Sequence, residues 1–303
     1  MTTPDATPQS SPQSPSPSPP PPFRFFDLEV DRIRRISPSL VRVTFTGPEL
    51  DAFASGGRDQ SLSLFLPHPG QSAPVLPDAT AATDEASWIA AYYQLPDDVR
   101  AVMRSYTVRE QRRGPAATEI DIDFALHPDG GPACRWAERA APGDRVRVLG
   151  PTDEDNTGVR FRLPESADWV LIWADETALP AASAILEWLP AGTRARVWFE
   201  VAEAADRVEP LTRAEAHITW LVRAESGEPR TERALAAVRA DKLPDGTPYS
   251  WIAGEAGTVK ALRRHLVNER GFDRKAVTFI GYWRQGLSED GLREEAAATA
   301  SAE

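Results

Sequence analysis

Val41, Val43 and Phe45 alternate with Arg42 and Thr44, the two-residue period of a strand buried on one face. Residues 61–66 repeat it, with Leu62, Leu64 and Leu66 on one face and Phe65 on the other. In 119–126, Ile120, Ile122, Phe124 and Leu126 share a face. Residues 25–36, 105–109 and 145–149 also read as extended, and 88–93 as a strand with broken alternation. Residues 67–85 are small, polar or proline and predict a loop, and 134–140 predict a helix after the Gly130-Gly131-Pro132 turn. Many short strands with one helix predict a small antiparallel barrel. Beyond residue 166 the pattern changes. Apolar strands at 169–173, 196–201, 218–222, 250–253 and 276–280 alternate with helical spacing at 178–189, 231–240 and 257–270. That alternation predicts a parallel sheet with helices on both faces. Two domains are expected, at 23–155 and 166–286.

With 303 residues and 41% hydrophobic positions, the chain is long enough for two such cores. The Pro/Ser-rich leader, 1–22, offers nothing to bury and is expected to be disordered, and the acidic tail, 287–303, flexible. No secretory signal and no run of eighteen apolar residues is found, so a cytoplasmic protein without membrane insertion is expected. A net charge of −11 argues against nucleic acid as a partner. A single cysteine, Cys134, excludes an internal disulfide and an ordinary iron–sulfur cluster. The four histidines are scattered, and no built-in metal site is expected. Electrons, if they move here, need an organic carrier.

Arg104-Ser105-Tyr106-Thr107-Val108-Arg109 carries what a flavin nucleotide needs: guanidinium for phosphate, an aromatic face for a flat ring, and hydroxyls for its polar edge. A plain barrel strand with a core tyrosine has the same pattern. His127 ends a strand, and Gly131, Pro132 and Ala133 start a helix, a place where backbone N–H groups attract phosphate. His127 is equally readable as a strand-end residue held by backbone; Trp136 and Cys134 read as packing. Asp175-Glu176-Thr177 follows an apolar strand, the crevice position of an open α/β sheet, without a Gly-x-Gly-x-x-Gly fingerprint. Thr177 is a candidate nicotinamide or ribose contact, and Asp175 and Glu176 are candidate helix caps or ribose ligands. Gly254 and Glu255 form a second strand-to-helix junction, with Lys260, Arg263 and Arg264 along the helix as candidate phosphate ligands or a solvated face. Tyr282, Trp283 and Arg284 close the last strand as a candidate substrate wall.

Taken in order, Arg104-Ser-Tyr-Thr-Val-Arg109, His127-Pro-Asp-Gly-Gly-Pro-Ala133, Asp175-Glu-Thr-Ala-Leu-Pro180, Ala253-Gly-Glu-Ala256 and Gly281-Tyr-Trp-Arg284 resemble the siderophore-interacting proteins of the ferredoxin–NADP reductase-like superfamily. The likeness runs from about residue 23 to 286. It implies a two-domain fold, an FAD-binding antiparallel β-barrel followed by an NAD(P)-binding α/β domain. Arg104, Tyr106, Thr107, His127 and the 131–133 turn would then serve FAD, and Thr177 the nicotinamide side. Tyr282 and Trp283 would line the electron-transfer cleft. The implied activity is reduction of Fe(III) to Fe(II) in a ferric siderophore or other ferric chelate, with electrons from NAD(P)H passing through FAD. No protein acid or base is needed, so no catalytic side chain is assigned. One departure stands out: where family members often carry a basic residue to grip an anionic siderophore, this chain has Ser63. That favours a less charged hydroxamate or mixed chelate unless another arginine substitutes. A general NAD(P)H:flavin oxidoreductase and a noncatalytic siderophore-binding protein are the alternatives, and a monomer is the default.

Overall fold

The computed structural model describes residues 21–78, 85–128, 130–291 and 293. Most of the expected leader and much of the acidic tail lie outside them. The alternating segments form β1 (Phe23–Ser37), β2 (Leu40–Thr46), β3 (Ser61–Leu66), β4 (Val102–Thr107), β5 (Glu110–Arg113), β6 (Thr118–Ala125) and β7 (Arg145–Pro151). They pair antiparallel in one seven-stranded sheet of order β4-β3-β7-β1-β2-β6-β5. The sheet curls round Val43, Phe45, Leu64, Ile120, Ile122, Phe124 and Val148, all fully buried. Each such side chain contributes about 1.5–3 kcal/mol on burial. The curl is a half-barrel, with β4 and β5 as its two edges. The strand at 110–113 escapes the sequence pattern because its residues, Glu-Gln-Arg-Arg, are all polar.

Residues 88–93 are not a strand. They belong to α1 (Glu85–Gln94), where Trp88 and Tyr92, one turn apart, stack at 5.6 Å and pack on Phe65. Ala90 and Ala91 favour helix, and the spacing of four between the buried aromatics is the helical signal that a strand reading misses. A six-residue helix, α2 (Pro132–Ala137), follows β6 with proline in its first turn.

The second half alternates as β8 (Trp169–Ala174), α3 (Leu179–Trp188), β9 (Arg194–Val201), β10 (Glu215–Val222), α4 (Arg230–Ala240), β11 (Pro248–Glu255), α5 (Ala256–Arg264) and β12 (Val277–Trp283). All pairings are parallel, in the order β10-β9-β8-β11-β12. Every residue of β8 is buried, as a central parallel strand covered on both faces requires. α3 covers one face, while α4 and α5 cover the other. The expected helix 257–270 is divided: α5 gives way to a π-helical turn, His265–Glu269. Strand order reverses between β8 and β11, so the crevice at their carboxyl ends is the place where ligands bind in such sheets.

Buried carboxylates clamp the two halves together. Asp206, after β9, accepts hydrogen bonds from the Ser37 hydroxyl at 2.8 Å and from the Ser39 N–H and hydroxyl at 2.7 and 2.8 Å. Asp59, before β3, accepts from the N–H groups of Arg160 and Phe161 and from Trp251 Nε1 at 2.9 Å. Arg109 forks onto Glu187 of α3 at 2.9 and 2.5 Å. The crevice of the parallel sheet is thereby held facing β4.

Candidate functional site

Between the halves lies a cavity of about 630 Å³. Ser105, Tyr106 and Thr107 of β4, with Asp123, Ala125 and His127 at the end of β6, form its half-barrel wall. The linker gives Gly158 and Arg160; Thr177, Pro180 and residues 280–283 form the facing wall. Of the sequence-predicted residues, Tyr106, Thr107, His127, Thr177, Tyr282 and Trp283 converge here. The half-buried Tyr106 ring packs on Phe124 at 4.5 Å. Burial pushes its hydroxyl well above the usual tyrosine value, so the ring is a neutral wall. Burial raises Tyr282 likewise, and Thr107 hydrogen-bonds to it across the domain boundary. Thr107 and Tyr282, singled out from opposite halves of the chain, therefore meet.

A second cavity, of about 790 Å³, lies at the start of β4. Loop residues 66–72 line it together with Val102, Pro132, Arg135, Trp136, Arg139 and Arg145. Pro132 is thus at the second cavity, while Gly131 is exposed and Ala133 packs into the half-barrel core. The crowded glycine of that turn is Gly130, where a Cβ would fall 2.2 Å from Cys134 Sγ; at Gly131 it would meet nothing within 4 Å. Trp136 packs against Phe45 and Phe124, and burial raises the Cys134 thiol, so both are packing residues as expected.

Arg104 lies along β4 between the cavities, and its guanidinium already holds an oxyanion. Asp290 accepts from both terminal nitrogens at 3.1 and 2.9 Å, while Glu289 accepts from the Ser105 N–H and hydroxyl, both at 3.0 Å. Arg293 bonds the same Glu289 oxygen at 2.7 Å. The chain delivers these carboxylates through a turn at Arg284–Leu287, where Leu287 N–H donates to Arg284 C=O and Gly286 takes φ +81°. Arg284 belongs to that turn and does not line the first cavity.

At the crevice, Asp175 is fully buried, which removes it as a ribose ligand. It ties together the ends of β8, β11 and β12. Glu176 pairs with Arg223 at 2.6 and 2.7 Å. Burial opposes ionisation of Glu176, but Arg223 and Arg230 outweigh it and hold the carboxyl below its ordinary range. Gly254 has φ +142°, and a Cβ there would fall 2.5 Å from the Asp175 carboxyl, so only glycine fits. Glu255 caps α5, accepting from Thr258 N–H at 2.8 Å. Neither lines the cavity. On α5, Lys260 and Arg264 are exposed, and Arg263 lies over the Phe279 ring at 4.2 Å. Sequence reasoning missed Asp59, Gly158, Arg160 and Glu289, which sit in polar loops and a tail where no periodicity marks them.

Two other observations bear on the class of protein. Among the described residues, no cluster of His, Cys, Asp and Glu is suited to a metal ion. Nor is any helix there long and apolar enough to cross a membrane.

A curled antiparallel sheet and a parallel α/β half meeting at an aromatic, arginine-flanked cavity make up the two-domain ferredoxin–NADP reductase-like fold. The reductase component of carbazole 1,9a-dioxygenase has this fold, with TM-score 0.57 at 15% identity. More specifically, residues 29–155 match the siderophore-interacting FAD-binding domain and 167–286 the siderophore-interacting protein domain. The chain belongs to the siderophore-interacting protein family. It is 31% identical to the ferric vibriobactin reductase ViuB of Vibrio cholerae, over 88% of this chain and 92% of that protein. It is also 31% identical to the NADPH-dependent ferric-chelate reductase of Escherichia coli, over 86% and 93% respectively. The siderophore-interacting protein SipS of Aeromonas hydrophila superposes with TM-score 0.72 at 32% identity, covering 93% of this chain and 100% of that one.

Proposed function

We propose that this protein is an FAD-dependent ferric-siderophore reductase, acting in the cytoplasm as a monomer with NAD(P)H as donor. Residues 23–155 form its flavin domain and 166–286 its pyridine-nucleotide domain. The observation that carries the reading is the β4 strand. Its tyrosine walls one cavity, and the arginine and serine beside that tyrosine already bind oxyanions of the chain's own tail. Such a donor set fits a phosphorylated flavin, which residues of both cavities would hold. Tyr106, Thr107 and His127 would hold the ring side; Arg104, the 131–133 turn through Pro132, Arg135 and Arg139 would hold the phosphate and adenosine side. When bound, FAD accepts a two-electron hydride and releases electrons singly, which suits one-electron reduction of Fe(III).

The chain's own work is to bind, orient and exclude water. Thr177 and Trp283, with Gly254 and Glu255 behind them at the sheet switch point, place the nicotinamide. Thr107 and Tyr282 close the cavity between the halves. The charge that Ser63 lacks is supplied by Arg160, an exposed cavity-lining guanidinium with which no carboxylate among the described residues pairs. Arg284, in the turn that follows β12, is the second cation we assign to an anionic ferric chelate.

The test is anaerobic Fe(II) release from a ferric siderophore panel, with a ferrous trap, driven by NADH or NADPH in FAD-loaded protein. Siderophore-dependent release supports the reading and identifies donor and chelate. Reduction of FAD with no preference for ferric chelates makes the protein a general flavin oxidoreductase. Chelate binding without flavin binding makes it a siderophore carrier, and either result rejects the proposal.

A further inference from the structure

Asp175 is the most heavily bonded carboxylate at the crevice, and two of its partners, Thr177 and Trp283, line the cavity. Oδ1 accepts from the Thr177 N–H at 3.0 Å and the Thr177 hydroxyl at 2.6 Å. Oδ2 accepts from Trp283 Nε1 at 2.8 Å, the Glu255 N–H at 2.8 Å and Arg230 at 3.2 Å. One side chain thus binds β8, β11, β12 and α4 at the point where strand order reverses. Thr177 and Trp283 both line the cavity, yet Asp175 itself has no exposed surface. Trp283 is fixed twice over: its N–H points at Asp175, and the Arg230 guanidinium covers its ring at 5.0 Å. Arg230 is in turn anchored by Glu200 at 3.0 Å. Gly254 leaves room for this carboxylate and for nothing larger.

We propose that Asp175 is a positioning residue for hydride transfer: it touches no substrate, but sets the Thr177 hydroxyl and the Trp283 indole plane against the nicotinamide ring. This rests on the reductase reading above. Burial and the neighbouring Glu176 push the Asp175 carboxyl up, opposed by Thr177, Arg230 and Trp283; every contact it makes is from a donor, an arrangement that an ionised carboxylate satisfies in full and an amide cannot. In Asp175→Asn the amide nitrogen faces donors on one side or the other, and either Thr177 or Trp283 is released. A reacting geometry misplaced by about 1 Å costs on the order of 100-fold in rate.

The experiment compares wild type, Asp175→Asn, Trp283→Phe and the double variant. It measures the NADP⁺ dissociation constant by calorimetry, flavin reduction by NADPH in stopped flow, and Fe(II) release from enzyme reduced beforehand with dithionite. For Asp175→Asn, the inference expects a 10- to 100-fold slower flavin reduction and weaker NADP⁺ binding, with iron release after dithionite unchanged. Trp283→Phe keeps an aromatic ring but loses the N–H and part of the indole's area, so a loss in the same two readouts, no larger than that of Asp175→Asn, is expected. Its effect should largely vanish in the Asp175→Asn background, because both changes break one contact. Equal NADP⁺ affinity and flavin reduction in Asp175→Asn and wild type would overturn the inference. So would a uniform loss across all three readouts, or additive losses in the double variant, which mark general destabilisation. Should Asp175→Asn fail to fold, Trp283→Phe decides alone: unchanged flavin reduction and NADP⁺ binding reject the assignment. Wild-type protein that neither binds FAD nor oxidises NAD(P)H removes the reductase reading itself and this inference with it.

Discussion

On the proposed reading, Arg160 supplies the charge that Ser63 does not bring. Ser63 lies on β3, opposite Ser105 and Leu149, and brings no charge to the wall. Ser63 does not itself line the cavity; Arg160 reaches it from the linker, anchored through its backbone N–H by Asp59. An exposed guanidinium gripping an anionic chelate is worth about 1 kcal/mol, or roughly fivefold in affinity. Arg160→Ala is therefore expected to raise KM for an anionic ferric chelate about fivefold, leaving KM for NAD(P)H unchanged. The difference should shrink as salt is added, because screening weakens exposed charge pairs. Initial rates at two ionic strengths check this; a KM that is the same for the variant at low salt removes Arg160 from the chelate site.

At the scale of elements, the segment after β12 competes with a phosphate for the donors of β4. Glu289 and Asp290 occupy Arg104 and Ser105, and a phosphate cannot share those donors. Asp290 is nearly half exposed, so its pair with Arg104 is weak and displaceable. Glu289→Gln with Asp290→Asn is expected to tighten FAD binding about fivefold, read from flavin fluorescence quenching. An unchanged or weaker dissociation constant would mean that the tail does not oppose the cofactor. The strands that frame this site were legible because period-two alternation survives wherever one face is buried, as at Leu62, Leu64 and Leu66. The edge strand β5 was not, since all four of its residues are polar. α1 was misread for a related reason: its buried stripe is only Trp88 and Tyr92, too narrow to outweigh two β-favouring aromatics. At the site, Tyr106 on a strand and Thr177 in the turn after one carry side chains that could be singled out from the sequence. Asp59 and Asp175 owe their roles to partners far along the chain, Trp251 and Trp283, which no local spacing announces.

The whole molecule works only while its halves keep their relation, because each supplies one wall of the cavity. Asp206 is the clasp remote from that cavity, so it separates assembly from chemistry. Burial alone would push its carboxyl up, but hydrogen bonds from Ser37, Ser39 and the Glu203 N–H outweigh this and hold it below the ordinary aspartate value. A depressed folded pKa means that the unfolded chain binds the proton more readily. The stabilisation is then complete above the unfolded value, about 3.9, and disappears as pH falls through the folded one. Asp206→Asn keeps one acceptor and turns a donor toward Glu203 N–H, which costs about 1–3 kcal/mol. The variant is expected to unfold at a lower temperature than wild type by a constant margin from pH 8 to pH 5, and the two should converge below pH 4. Differential scanning calorimetry across that range checks both parts. A margin that persists undiminished at pH 3 would show that the charge on Asp206 is not what holds the halves together. A margin absent at pH 7 would shift that role to Asp59 and the Arg109–Glu187 pair.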